Sequence, residues 1–152
     1  MFGNYTLADH LLGSQLLNFT SPGGEIMGKK ILYIDEEYVN YLYFSELLAD
    51  SGADIYRAYS WSQAKYWLDS ERDFCMVLIS SGFLSQNGFS VITDIKKRNS
   101  GLQVVVIMEE SNPEILGKCV KAGCDLHLSR QIDAIHLVEA VNDLLSNTYH
   151  NL

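Results

Sequence analysis

Short apolar runs alternate along this chain with longer stretches in which apolar residues recur every three or four positions. Residues 30–34 (KILYI) form the first continuous run. Residues 36–52 follow, with Val39, Leu42, Leu47 and Leu48 on one predicted helical face and Gly52 as the stop. Residues 53–59 (ADIYRAY) read as a weaker, more polar strand, suited to a sheet edge. Ser60 and Gln63 stand at capping-box spacing and predict a helix from Trp61 to Ser70. Residues 75–79 (CMVLI) predict the third strand, which breaks at Ser80 into a polar, glycine-containing loop before a third helix over 88–98.

The second half repeats the pattern. Residues 103–108 (QVVVIM) are strongly β-branched and predict a buried central strand. Residues 111–123 carry a cap, Pro113 in the first turn and Gly123 at the far end, and so predict the fourth helix. Residues 125–129 predict the fifth strand. Residues 133–145 predict the fifth helix, capped by Asp133 and turning Ile135, Val138, Val141 and Leu145 inward. Five β-α repeats with strands too apolar for one-sided burial imply an α/β fold, a doubly wound parallel sheet covered on both faces. In such sheets a ligand site lies beyond the carboxyl ends of the strands. The residues to weigh are therefore Asp35, Glu36 and Glu37, then Ser80 and Ser81, then Met108, Glu109 and Glu110, then Ser129, Arg130 and Gln131.

Residues 1–27 stand apart as an N-terminal extension or linker. Thr6 offers an N-cap, Leu7, Leu11, Leu12 and Leu16 follow at helical spacing, and "SPGG" breaks the pattern, which predicts one short amphipathic helix. Residues 28–147 make the domain and 148–152 a tail. At 152 residues there is room for one ordinary core, and a formal net charge of −8 argues against a nucleic-acid surface. The three cysteines, Cys75, Cys119 and Cys124, show no metal-type spacing and suit a reducing compartment as thiols. No apolar run reaches membrane-spanning length and no basic n-region precedes an apolar stretch, so a cytoplasmic, membrane-free protein is expected. The loop after the first strand is acidic where a phosphate or dinucleotide cradle would be glycine-rich, and no nucleophile-base pair is visible, so no enzyme is expected.

"ILYIDEE", "NGF" with Gly88 eight positions after Ser80, and "KAGCDLHLSRQID" resemble the receiver domains of two-component response regulators. "EEYVNYLYFSELL" is similar to receivers attached to hybrid histidine kinases. The resemblance spans residues 29 to 146 and implies a CheY-like, flavodoxin-like fold of strand order 2-1-3-4-5. It also implies a phosphorylation site, and this chain departs from it three times. Ser80 stands where the family has its phosphoacceptor Asp, Met108 where it has a Ser or Thr hydroxyl, and Arg130 followed by Gln131 where it has Lys-Pro. A serine without an adjacent base is a poor nucleophile, and a methionine donates no hydrogen bond.

The resemblance thus implies a degenerate pseudo-receiver, a phosphorelay signalling module acting through phosphorylation-independent protein-protein interaction or dimerisation. Two alternatives stay open: a working receiver with a non-standard acceptor such as Ser80 or Ser81, and a flavodoxin-like small-molecule binder. Asp35, Glu36 and Glu109 are expected to form an acidic pocket, with Arg130 reaching Asp35 or Glu36 in the place of a cation. Asp35, Glu36 and the Gly82 carbonyl correspond to three family metal ligands, and without a third carboxylate Mg²⁺ is expected to bind weakly if at all, with no other cofactor. His127 occupies the family's switch-aromatic position and is expected to be a half-buried strand residue. Partners implied are a histidine kinase or another signalling domain, and a second copy through the fourth helix, fifth strand and fifth helix. Tyr38, Tyr41, Tyr43, Phe44, Tyr56, Tyr59, Trp61, Tyr66 and Trp67 crowd the first two β-α units and mark a candidate contact patch.

Overall fold

Five parallel strands pair in the order β2-β1-β3-β4-β5 in this computed structural model, which describes residues 29–70, 73–130 and 134–150. The strands are β1 (Lys30–Ile34), β2 (Asp54–Ala58), β3 (Phe74–Ser80), β4 (Gln103–Met108) and β5 (Leu126–Ser129). The polar β2 is an edge, paired only to β1 from Lys30↔Asp54 to Ile34↔Ala58, while β3 lies between β1 and β4. Among the described residues there are six α-helices, α1 (Tyr38–Leu47), α2 (Trp61–Ser70), α3 (Ser81–Asn87), α4 (Ser90–Arg98), α5 (Pro113–Ala122) and α6 (Ala134–His150), and a 3-10 turn at Ala49–Ser51. The predicted amphipathic helix before residue 28 and the Asp133 cap lie outside the described residues.

Successive residues of each central strand serve opposite cores. Leu32, Ile34, Val77, Ile79, Val104 and Val106 pack with Phe83, Leu84, Val91, Ile92, Ile95 and Cys119 on one face. Ile31, Tyr33, Met76, Leu78, Val105 and Ile107 pack with Phe44, Leu47, Leu48, Leu137, Val138, Val141 and Leu145 on the other. Each such aliphatic side chain contributes about 1.5–3 kcal/mol by leaving water. This two-sided burial explains why the strands read as unbroken apolar runs.

Capping sets the helix limits. Gln63 Oε1 accepts from the Tyr59 N–H at 2.9 Å and Ser60 Oγ from the Gln63 N–H at 3.1 Å, which starts α2 at Trp61. Asn112 Oδ1 accepts from the Glu114 and Ile115 N–H groups, and Gly123, left-handed at φ 108°, ends α5.

Three features differ from expectation. The loop after Ser80 is a helix, because Phe83 and Leu84 are buried and anchor it against the sheet. The inward face of α1 is Asn40, Phe44 and Leu47, while Val39 and Leu42 are exposed. And α6 runs on to His150, past the predicted end.

Candidate functional site

Ser80 closes β3 with extended backbone (φ −78°, ψ 146°) and is 2% exposed. Its Oγ accepts a hydrogen bond from the Phe83 N–H at 3.1 Å, so the hydroxyl caps α3. The same turn is closed below by Asn87, whose amide donates to the Phe83 carbonyl, and by Gly88, whose φ of 100° is open to glycine at little cost. Ser81 is also buried, and its Oγ accepts from the Glu109 N–H at 3.1 Å, tying the start of α3 to the end of β4. Both hydroxyls at the strand end therefore hold backbone. Ser80→Ala is expected to cost about 1 kcal/mol through the lost cap, read as a shift of the denaturation midpoint; an unchanged midpoint would show that the cap carries no stability.

Asp35 follows β1 and is 2% exposed. Its carboxylate is enclosed by donors of its own chain: the Tyr33 hydroxyl at 3.1 Å and the Asn40 amide at 2.9 Å on Oδ2, and the Glu37 N–H at 2.9 Å on Oδ1. Here lies the reason Asn40 turns inward on an otherwise apolar helix. A buried carboxylate is costly unless bonded, and these three donors satisfy it. Burial, and next the adjacent Asp35 charge, push the Tyr33 phenol well above its ordinary value. The folded state thus keeps the Tyr33 proton where the unfolded chain releases it, so this contribution is intact below about pH 10 and is lost as pH rises further. Unfolding free energies from urea denaturation between pH 9 and 11 should fall more steeply in wild type than in Tyr33→Phe, by up to about 1.4 kcal/mol per pH unit; parallel profiles would contradict this.

The expected Arg130 pairing is not formed. The Arg130 guanidinium lies over the Tyr43 ring, 5.9 Å from its centroid, and the described ion pairs are Lys30–Asp73, Lys96–Asp125, Arg98–Asp69 and Lys118–Glu114. With Asp35 already satisfied, there is little left for Arg130 to neutralise. The cation that reaches the acidic loop is Arg57, from the edge strand β2. It donates to the Glu36 carbonyl at 3.2 Å and sits 4.9, 5.5 and 5.9 Å from the ring centroids of Tyr38, Tyr59 and Tyr41. Each such contact is worth roughly 0.5–1 kcal/mol where exposed. The sequence signal was present, an arginine between tyrosines on an edge strand, but its partners lie on another element.

The three acidic residues differ in their surroundings. Asp35 is buried, Glu36 is exposed, and Glu109 packs over Gly82 on a cavity of about 360 Å³ lined also by Ser81, Ser85, Glu110 and Ile115. Met108 is buried at the end of β4, and its carbonyl accepts from the Arg130 N–H at 2.8 Å. His127 is exposed rather than half-buried, and with Met108, Pro113 and Leu116 it lines a second cavity of about 270 Å³ between β5 and α5. Among the described residues no group of three or more His, Cys, Asp or Glu is placed to hold a metal ion. The donors at the strand ends do not fit a divalent cation. Asp35 is taken by its own chain, the Ser80 hydroxyl caps α3, and Glu36 is exposed.

Known proteins share this architecture. The sequence profile of the response regulator receiver domain matches residues 31–142. The two-component response regulator ORR12 of Oryza sativa subsp. japonica is 24% identical over 114 residues, covering 74% of this chain and 94% of the rice protein. A CheY-like receiver domain protein from Methanospirillum hungatei superposes with a TM-score of 0.73 at 16% identity, covering 82% of this chain and 99% of the other. The signal receiver domain of an HD domain-containing protein from Pseudomonas fluorescens gives 0.73 at 18% identity, covering 81% and 98%. With the profile spanning most of the chain and the strand order 2-1-3-4-5 in place, this chain belongs to the response regulator receiver domain family.

Proposed function

We propose that this receiver domain no longer accepts phosphate and works as a phosphorylation-independent protein-interaction module of a two-component system. The observation that carries the reading is Ser80: buried at the end of β3, with its oxygen engaged by the Phe83 N–H. Phosphoryl transfer would need a nucleophile free to attack and a cation to neutralise the charge. The position offers a capping hydroxyl, and the carboxylate nearby is satisfied by neutral donors.

A partner such as a histidine kinase or another signalling domain would read the surface instead. Among the described residues, α1 exposes Tyr38, Val39, Leu42 and Tyr43, whereas the face made by α5, β5 and α6 exposes one large apolar side chain, Val120. The α1 face is therefore the better supported contact surface, ahead of dimerisation through the other. A cytoplasmic location belongs to the same reading and is supported by three free thiols. No helix among the described residues is long and apolar enough to cross a membrane.

The test is titration with Mg²⁺ and beryllofluoride, a phosphoryl mimic, followed by amide chemical shifts. Residues 80–88, Met108 and Arg130 should not move. Saturable shifts there would show a site that still binds the phosphoryl group.

A further inference from the structure

We propose that Cys119 and Cys124 form a modification site, a dithiol that exchanges with a small disulfide of the glutathione type to close a reversible bond across the last turn of α5. The site lies where α5 turns into β5, at the amino end of that strand. It therefore stands apart from the residues at the carboxyl ends of the sheet and does not depend on whether Ser80 accepts phosphate.

The pairing follows from the way α5 ends. The Gly123 N–H donates to the Val120 carbonyl at 3.1 Å and the Cys124 N–H to the Cys119 carbonyl at 3.2 Å, with Gly123 left-handed between them. In this helix stop the residue after the glycine folds back over the one five positions earlier, and their side chains meet. A backbone bond of that kind holds the two Cα atoms within the roughly 4.4–6.8 Å that a disulfide spans. Ordinary apolar side chains commonly make the contact; here both are thiols. Cys119 is fully buried, and the half-buried Cys124 packs against the same core, while Cys75 belongs to the core on the other face of the sheet.

The neighbours of Cys124 fix it in place. The Ala122 carbonyl accepts from the Thr93 hydroxyl of α4 at 3.2 Å. Asp125 pairs with Lys96 of α4 at 2.8 Å, accepts from the Val104 N–H at 2.8 Å and donates its own N–H to the Val104 carbonyl at 2.8 Å. A pair anchored on both sides loses little freedom when it is bridged, which favours closure. Burial, and next the adjacent Cys124 sulfur, push the Cys119 thiol up to about 11, and burial raises Cys124 as well. The pair therefore rests as thiols and answers a sustained oxidising poise, not a brief pulse.

The exchange needs no other reactant. The Cys124 sulfur, the more accessible of the two, attacks the small disulfide and forms a mixed disulfide, its proton leaving with the first small thiol. The Cys119 sulfur then attacks the Cys124 sulfur, and its proton leaves with the second. Two protein thiols are oxidised while one small disulfide is reduced to two thiols.

The experiment equilibrates the reduced full chain with mixtures of reduced and oxidised glutathione, in native buffer and in denaturing urea, beside Cys119→Ala and Cys124→Ser. Samples are quenched with acid, alkylated after unfolding, and read by intact mass and peptide map. Wild type should lose two hydrogens, with Cys119 and Cys124 blocked and Cys75 alkylated. The equilibrium constant for closure should be about tenfold or more higher in native buffer than in urea, because the fold holds the sulfurs together. Neither variant should form an internal bond. A constant no higher in native buffer than in urea would overturn the proposal, as would a mixed disulfide that stays open at Cys124. So would a bond to Cys75 or between chains.

Discussion

Asp35→Ala should destabilise this domain by about 2–4 kcal/mol, because the substitution removes three bonds to a charged acceptor and strands two donors. The Tyr33 hydroxyl and the Asn40 amide both lose their acceptor inside the protein, and neither is placed to recover it from water. The Glu37 N–H loses its partner at the start of α1. Asn40→Ala removes one donor and leaves the carboxylate two, so it should cost less. The double variant should cost less than the sum of the two, since the bond between them is then counted once. The sign separates two accounts of the site. A carboxylate crowded by other carboxylates is relieved when neutralised, and its removal stabilises. A gain in the urea midpoint on Asp35→Ala would therefore mean that Glu36 and Glu109 press on it after all.

Phe44→Ala is expected to cost about 3–5 kcal/mol, the range for deleting a buried aromatic ring. Phe44 is 1% exposed and lies 5.4 Å from the Tyr33 ring and 5.1 Å, edge-on, from the Tyr43 ring. It is thus the pin between β1 and the helix whose outer face is exposed. Leu47 and Leu48 remain on that side, so the sheet should still form while α1 loosens. Chemical denaturation reads the loss, and hydrogen exchange should show it concentrated in α1. A cost below about 1 kcal/mol would mean that the ring's neighbours close the gap without strain.

The strands were legible because two-sided burial writes itself as unbroken apolar runs, and β1 and β4 begin and end where the pattern says. Capping was equally legible at α2 and α5, since each cap is a bond between near neighbours in the chain. Where the pattern failed, the deciding contact was long-range or polar. "SSGFLSQN" reads as a loop by its serines, glycine and asparagine, yet burial of Phe83 and Leu84 holds it helical. Apolar periodicity put Val39 and Leu42 inside α1, and a carboxylate that needed a donor put Asn40 there instead. Ser80 at the end of β3 was visible as a residue type, but its employment as a helix cap was not, because no helix was expected to need one. The acidic loop led the sequence reading to expect a cation beside Asp35, whereas neutral donors satisfy that carboxylate. The pairing of β2 with β1 brings Arg57 to the Glu36 carbonyl and three tyrosine rings, while Arg130 lies over Tyr43 and pairs with neither Asp35 nor Glu36.

One measurement bears most directly on the claim that the site has lost its chemistry. The full chain is incubated with Mg²⁺ and a phosphorylated histidine donor, or with acetyl phosphate, and its intact mass is followed beside a working receiver that proves the donor active. The buried, capping Ser80 predicts that this chain keeps its unmodified mass while the working receiver gains one phosphoryl group. A phosphoryl group gained by this chain, at Ser80 or anywhere else in the domain, would contradict the account and make it a functioning phosphoacceptor with an unusual site.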